Sequence, residues 1–236
     1  SPLADQGYDI ADYYKIDPRF GSNEDMEELL AEAKKRDMHI LLDLVVNHCS
    51  DEHEWFQKAL AGDSYYQDFF ILRDEPTDWL SKFGGSAWAP FGDTGKYYLH
   101  LYDVTQADLN WRNPNVRQEL FKVVNFWRDK GVKGFRFDVI NVIGKDEVLT
   151  DCPEQEGKPA YTDKPIVHDY LRMMNEVTFG QDASVMTVGE MSATTIDNCI
   201  LYTAPDRQEL SMAFNFHHLK VDYEDGQKWT LKAFDF

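Results

Sequence analysis

The sequence has few cysteines and no long apolar run, and each shortage excludes a class of protein. Its three cysteines, Cys49, Cys152 and Cys199, are odd in number and widely spaced, so they do not make a disulfide framework. No apolar run approaches the roughly 18 residues of a transmembrane helix, and no signal peptide opens the chain. We therefore predict a cytoplasmic protein with reduced thiols and no membrane partner.

Basic residues are also scarce. The 236 residues include 24 Lys and Arg against 42 Asp and Glu, a formal net charge of −18. Nucleic acids and anionic membranes are bound through basic surfaces, so this balance argues against both as partners. The chain has no Walker-type loop, no GxGxxG turn and no internal repeat. Its 43% hydrophobic and 14% aromatic residues are enough for a sizeable core, which excludes a disordered chain.

Strand-like and helix-like segments alternate along much of the chain. Three segments have apolar residues at helical spacing and predict helices: 22–36, 113–131 and 165–179. The expected core face of the second helix is formed by Val116, Leu120, Val123, Val124 and Trp127, and that of the third by Ile166, Tyr170, Met173, Met174 and Val177. Four short apolar segments predict strands: 40–46, 135–140, 185–190 and 212–216. This alternation predicts an α/β fold with a parallel sheet.

A long segment from about 49 to 110 interrupts the alternation. It far exceeds the usual connection between a strand and a helix, and it is rich in aromatic and turn residues. We predict that it forms a small subdomain inserted after a strand. The remaining residues are too few for the eight strand–helix units of a closed barrel.

Ionisable residues occupy positions within the predicted strands. Asp43 lies among aliphatic residues, Arg136 and Asp138 share one face of their strand, and Glu190 ends another. Buried charges need a partner or a purpose, because an unpaired one is costly. We predict that Arg136 keeps Asp138 ionised and that Glu190 stays protonated, the arrangement that glycoside hydrolysis uses. The alternatives are structural ion pairs beneath the insert and, for His48, an ordinary buried histidine.

Short motifs built on these residues resemble those of the α-amylase superfamily of glycoside hydrolases. Five segments carry the resemblance, which extends over the whole chain: 5–9, 43–48, 106–111, 134–138 and 188–190. The resemblance is closest to the oligo-1,6-glucosidase branch and, within it, to the phospho-α-(1→1)-glucosidases, which hydrolyse trehalose 6-phosphate.

The resemblance implies part of a TIM (β/α)8 barrel with a small subdomain inserted after the third strand. The implied division is a barrel segment at 1–48, the insert at 49–110 and a second barrel segment at 111–236. The chain is expected to be truncated at both ends, because the family's first strand, a third catalytic carboxylate and a C-terminal β-domain have no counterpart in it. The piece alone is therefore expected to be inactive. We expect no cofactor, apart from a structural calcium in the missing N-terminal segment.

Carried over by position, the resemblance implies the roles of the charged strand residues. Asp138 is the expected nucleophile, Glu190 the general acid/base, and Arg136 the residue that positions Asp138. Asp43 is expected to be buried and to orient its neighbours. The implied mechanism is retaining, so the carboxyl groups of Asp138 and Glu190 are expected about 5–5.5 Å apart.

The resemblance also implies the substrate contacts. His48 is expected to hold hydroxyls of the glucose whose bond is cleaved, Tyr8 to stack on that ring and Asp5 to bind its far edge. Lys220 and His217 stand where enzymes acting on neutral sugars carry acidic residues, and they predict recognition of a 6-phosphate on the leaving glucose. The predicted partner is therefore a phosphorylated disaccharide.

Two alternatives stay open at this point. One is an oligo-1,6-glucosidase or sucrose isomerase that acts on unphosphorylated sugars; acidic residues in place of His217 and Lys220 would favour it. The other is a binding or scaffold protein that kept the barrel but not the catalysis. The presence of both Asp138 and Glu190 argues against the second.

Overall fold

The computed structural model describes residues 1–216, apart from the side chains of residues 155 and 156, and this range contains both strands and helices. The strands are, in chain order, β1 (Leu41–Val45), β2 (His48–Ser50), β3 (Leu72–Arg73), β4 (Trp88–Pro90), β5 (Tyr97–Leu99), β6 (Gln106–Asp108), β7 (Gly134–Asp138), β8 (Met186–Glu190) and β9 (Met212–Phe214). The helices are α1 (Asn23–Lys34), α2 (Glu54–Leu60), α3 (Ser64–Gln67), α4 (Pro114–Asp129), α5 (Lys158–Tyr161), α6 (Ile166–Val177) and α7 (Ile196–Thr203). Short 3-10 turns lie at Ile140–Val142, Glu154–Gly157, Phe179–Gln181 and Pro205–Arg207.

The main sheet is parallel and follows the order β1-β7-β8-β9. All four of its strands were predicted from the sequence, and α1, α4 and α6 are the three predicted helices. The sheet confirms the predicted α/β fold. No helix within residues 1–216 is long and apolar enough to cross a membrane.

The helices beside the sheet are stabilised by a cap at the N-terminus of α1 and by buried apolar faces on α4 and α6. Ser22 caps α1 through a reciprocal pair of hydrogen bonds with Asp25, which satisfies two free N–H groups. In α4 the residues predicted to face the core are all buried: Val116, Leu120, Val123, Val124 and Trp127. In α6 the prediction was partly wrong, because Met173 and Val177 are exposed. The buried stripe of α6 runs instead through 167, 170, 171 and 174, an i, i+3, i+4, i+7 pattern.

The segment between β1 and α4 contains two small antiparallel sheets, β2-β6 and β3-β5-β4. Its interior is aromatic: the Phe56 ring meets those of Phe70, Phe91 and Tyr98 edge to face at 5.0–5.5 Å between centroids. These side chains belong to the same hydrophobic cluster as Phe135 of the main sheet and the inner face of α4. The insert is therefore packed onto the sheet, while the predicted boundaries at 48 and 110 stay a prediction.

The strand predicted at 135–140 ends earlier, at Asp138, for a backbone reason. Val139 has a left-handed conformation (φ 39°, ψ 40°), and the chain then enters the 3-10 turn Ile140–Val142. This conformation is strained for a β-branched residue and cannot continue a strand. The turn directs the chain away from the sheet directly after Asp138.

Candidate active site

The carboxyl ends of neighbouring strands bring the predicted catalytic side chains together. β7 ends at Asp138 and the adjacent β8 ends at Glu190. Arg136 lies two residues before Asp138 and therefore on the same face. It is paired in register with Asp43 of β1. Three strands thus direct four ionisable side chains to one region.

Arg136 is the centre of this cluster. Its Nη1 lies 2.8 Å from Asp43 Oδ1 and 2.7 Å from Asp138 Oδ1, and its Nη2 contacts Glu190 Oε2. The side chains of Asp138 and Glu190 are each only 10% exposed, so the contacts of Arg136 with these two carboxyl groups are made largely out of water. The predicted contact between Arg136 and Asp138 is present. The expected separation of about 5–5.5 Å between the carboxyl groups stays a prediction.

Asp43 was predicted to be buried, and this was wrong. Its side chain is 44% exposed, and Leu41 of the same strand is also exposed. The reason is the position of β1, which pairs only with β7 among the described strands. An apolar run predicts a strand but does not tell how many neighbours that strand has. Asp43 nevertheless contacts Arg136 and accepts a hydrogen bond from the Tyr8 hydroxyl at 3.3 Å.

The protonation of Asp138 also differs from the prediction. Burial, followed by the neighbouring Glu190 carboxyl, raises the pKa of Asp138 to about 8, and the opposing effect of Arg136 is smaller. The expectation that Arg136 keeps Asp138 ionised was therefore wrong for the free site, while the protonated Glu190 stays a prediction. Since the two carboxyl groups interact, the proton held near neutral pH belongs to the pair.

This raised pKa predicts an unusual dependence of stability on pH. Because the folded chain binds the Asp138 proton more tightly than the unfolded chain, the free energy of unfolding should fall as pH rises from about 4 to about 8. In Asp138→Asn this fall should be smaller, since an amide does not ionise. Urea unfolding across this pH range tests it, with Asp129→Asn, an exposed acid on α4, as the control that keeps the wild-type slope. Equal slopes in all three proteins would contradict the prediction.

The predicted glucose contacts Tyr8 and Asp5 lie beside this cluster. The Tyr8 ring lies with its centroid 5.6 Å from the Arg136 guanidinium carbon. Asp5 Oδ2 accepts a hydrogen bond from Gln106 Nε2 at 3.0 Å, and the same amide donates to the Tyr8 carbonyl at 3.1 Å. Gln106 therefore holds both residues of the loop, a role that its place in a motif did not predict.

His48 is almost fully buried under the same loop. Its Nδ1 lies 3.2 Å from Asn47 Nδ2, a donor, so Nδ1 accepts and Nε2–H donates to the Tyr8 carbonyl at 3.1 Å. Burial lowers the pKa of His48, which favours this neutral form. Its contact with glucose hydroxyls stays a prediction, and its observed contacts hold the Tyr8 backbone in place.

A buried ion pair under His48 was missed from the sequence. Lys145 Nζ lies 2.7 Å from Asp108 Oδ2 and 2.9 Å from Asn47 Oδ1. The two charged side chains are 3% and 0% exposed. Asp108 lies within the 106–111 motif, but nothing in the sequence connects it with a lysine 37 residues later. The pair fixes Asn47 and through it the His48 ring.

Two further predictions, on phosphate binding and on cofactors, are not tested by the contacts described above. His217 and Lys220 lie beyond the described residues, so the phosphate contacts stay a prediction. Within residues 1–216 no group of three or more His, Cys, Asp or Glu side chains is arranged to hold a metal ion. The expected absence of a cofactor likewise stays a prediction.

Comparison with known proteins places this geometry in a family. The model of the α-amylase catalytic domain matches residues 1–236. The chain is 54% identical to a trehalose-6-phosphate hydrolase of Bacillus subtilis (strain 168), covering 100% of this chain and 43% of the relative. It is 50% identical to a trehalose-6-phosphate hydrolase of Escherichia coli (strain K12), covering 100% of this chain and 44% of the relative.

A solved structure gives the same picture of the fold. The crystal structure of trehalose-6-phosphate hydrolase from Bacillus licheniformis superimposes with a TM-score of 0.94 at 54% identity, covering 100% of this chain and 43% of that one. The chain therefore spans less than half the length of the relatives that it matches.

Proposed function

This chain belongs to the α-amylase catalytic-domain family, and we propose that the full-length protein hydrolyses trehalose 6-phosphate to glucose and glucose 6-phosphate with retention of configuration. The catalytic domain of this family is a TIM barrel, and the parallel β1-β7-β8-β9 sheet is part of one. One observation carries the proposal: two buried carboxyl groups, Asp138 and Glu190, end adjacent strands and share one guanidinium, that of Arg136.

The first step uses the two carboxyl groups in opposite protonation states. The proton held by the pair resides on Glu190 in the reactive form, which leaves Asp138 ionised and in contact with Arg136. The Asp138 carboxylate attacks the anomeric carbon of the unphosphorylated glucose, and the bond to the bridging oxygen breaks. Glu190 donates its proton to that oxygen, so glucose 6-phosphate leaves and a glucosyl ester on Asp138 remains.

The second step reverses the roles. Glu190, now ionised, removes a proton from water as the water oxygen attacks the anomeric carbon from the face that the leaving group vacated. The ester bond to Asp138 breaks, glucose is released, and the proton is again on Glu190. Arg136 supports both steps, because it contacts both carboxyl groups and offsets the charge that moves between them.

The phosphorylated substrate is the finer part of the proposal. It is supported by the identity of 54% and 50% to proteins named trehalose-6-phosphate hydrolase and by His217 and Lys220 in the sequence. A cation is needed to bind a dianion in a protein of net charge −18. We propose Lys220 as the principal phosphate contact and His217 as the second.

A comparison of three substrates tests this choice. With the full-length protein we expect kcat/KM for trehalose 6-phosphate to exceed those for trehalose and isomaltose, and Lys220→Glu to remove most of that preference. The loss should be about 10²-fold, the effect of losing a charge-assisted contact worth about 1.5–3 kcal/mol and gaining a repulsion. Lys122→Glu, the same charge change on the exposed face of α4, is the matched control. Faster cleavage of isomaltose than of trehalose 6-phosphate would contradict the proposal and favour an oligo-1,6-glucosidase.

A cytoplasmic location is proposed together with this substrate. Cys49, Cys152 and Cys199 are all free thiols in the structure, which agrees with a reducing compartment. A redox titration of the thiols in freshly lysed cells would test it, with three reduced cysteines expected.

A further inference from the structure

A buried asparagine connects the two segments that follow the catalytic strands. Asn141 comes three residues after Asp138 and is fully buried. Its Oδ1 accepts the N–H of Ser192 at 2.8 Å, and its Nδ2 donates to the Ser192 carbonyl at 2.8 Å. Ser192 in turn comes two residues after Glu190. One side chain therefore binds both backbone groups of the segment that carries Glu190 out of its strand.

A carboxylate supports the same orientation of this amide. Asn141 Nδ2 also donates to Asp163 Oδ1 at 2.9 Å, and the Asp163 N–H donates to the Asn141 carbonyl at 3.0 Å. The Ser192 N–H requires the amide oxygen to face it and the Ser192 carbonyl requires the NH2, so the contact with Asp163 adds a third partner to an orientation that Ser192 sets. Three more side chains donate to the Asp163 carboxylate at 2.7–3.1 Å and hold it in place: Thr194, Asn198 and Tyr202.

The backbone after Asp138 is shaped to make this contact. The left-handed conformation of Val139 turns the chain so that Asn141 faces the segment after β8. It also places the Val139 N–H 3.4 Å from Glu190 Oε2. A strained residue beside a site is retained when the surrounding contacts hold it, and the bridge from Asn141 to Ser192 is such a contact.

We propose that Asn141 is a positioning residue that sets the separation of Asp138 and Glu190 through its two hydrogen bonds to Ser192, with Asp163 holding the Asn141 side chain in place. The inference rests on the proposed reaction, in which both carboxyl groups must reach the same glycosidic bond. Within residues 1–216 the Asn141 side chain makes no hydrogen bond to Arg136, Asp138 or Glu190; it acts through Ser192. Its loss should let the segment after Glu190 move while the strands stay in place.

The test uses the full-length protein and 4-nitrophenyl α-glucoside, a substrate that needs no phosphate contact. We expect Asn141→Ala to lower kcat about 10²-fold, the effect of a misplacement of about 1 Å, with KM close to that of wild type. The pH profile of kcat should also shift, since the interaction between the two carboxyl groups depends on their separation. A crystal structure of the variant should show Glu190 displaced relative to Asp138.

Tyr202→Phe is the matched control, because it removes one hydrogen bond to Asp163 and leaves the contacts of Asn141 with Ser192 intact. An equal kcat in Asn141→Ala and Tyr202→Phe, or an unmoved Glu190 in the crystal structure, would overturn the inference. If Asn141→Ala does not fold, Asn141→Asp decides by the same readouts, since it keeps the side-chain shape but has no NH2 to donate to the Ser192 carbonyl or to Asp163.

The outcomes separate this inference from the proposed function. A wild-type protein that cleaves the aryl glucoside but not trehalose 6-phosphate contradicts the proposed substrate. The positioning role of Asn141 is then still decided by kcat for the aryl glucoside in Asn141→Ala and Tyr202→Phe. A wild-type protein that cleaves neither contradicts the proposed function. In that case the position of Glu190 in the Asn141→Ala crystal structure still decides the inference.

Discussion

Asp138→Asn in the full-length protein is expected to lower kcat/KM for trehalose 6-phosphate by about 10⁴- to 10⁶-fold, the range seen when one residue of the group that performs covalent catalysis is removed. The amide nearly matches the carboxylate in size, and it still offers an oxygen to Arg136. It cannot form the glucosyl ester, because a neutral amide is a far weaker nucleophile than a carboxylate. The remaining groups can bind the sugar but cannot divide the reaction into two steps. Steady-state kinetics with a coupled assay for glucose 6-phosphate measure the loss.

Asp129→Asn is the matched control for this experiment. It makes the same change from carboxylate to amide at an exposed residue of α4, outside the Arg136 cluster. We expect no comparable loss of kcat/KM from it. Mass spectrometry of the acid-quenched wild-type protein should find a glucosyl group on the peptide that contains Asp138. Comparable kcat/KM in the two variants, with no glucosylated peptide in the wild type, would contradict the assignment of Asp138 as the nucleophile.

The sequence predicted the sheet and its charged residues because both follow from short-range patterns. Continuous apolar runs identify buried strands, and alternation within β7 places Arg136 and Asp138 on one face. The parallel α/β order then brings Asp138 and Glu190 to the same edge of the sheet. Each of these steps needs only the spacing of residues within one segment and the order of the segments.

What the sequence did not predict depends on neighbours that are distant in the chain. The exposure of Asp43 depends on which strands flank β1, and the pKa of Asp138 on how deeply the pair is buried. The bridge from Asn141 to Ser192 requires the left-handed Val139, which no propensity favours in a β-branched residue. Such features are set by tertiary packing, so they become visible only in the folded chain.

The Arg136 contacts alone would also fit a cluster of structural ion pairs. The burial of the carboxyl groups and the raised pKa of Asp138 distinguish a catalytic site from such a cluster. A structural cluster would place its charges wherever packing allows. Here the two less exposed of the three carboxyl groups around Arg136 lie at the ends of adjacent strands, and burial raises the pKa of Asp138 to about 8. Burying two acids side by side opposes folding, as the predicted fall in stability with pH expresses. A cost of this kind is expected where a proton has to be held for a reaction.

Glu190→Gln is expected to lower kcat for trehalose 6-phosphate by about 10²- to 10⁴-fold, the usual contribution of general acid catalysis. The sugar oxygen that leaves is a poor leaving group without a proton, and the amide of a glutamine is too weak an acid to transfer one. With 4-nitrophenyl α-glucoside the leaving group needs little protonation, so formation of the glucosyl ester on Asp138 should be much less affected. Its hydrolysis still needs the Glu190 carboxylate as a base. The variant should therefore release a burst of nitrophenol and then turn over slowly.

Azide distinguishes this role from simple damage to the site. In Glu190→Ala the small anion can occupy the space of the lost carboxylate and attack the glucosyl ester without general base assistance, so it should restore turnover and yield an α-glucosyl azide. Azide should not restore Asp138→Ala in the same way, because no β-glucosyl ester forms there; any product should be the β-azide from direct displacement. The anomeric configuration of the product thus assigns the two carboxyl groups independently. The same azide anomer from both variants would contradict the assignment of Asp138 as nucleophile and Glu190 as acid/base.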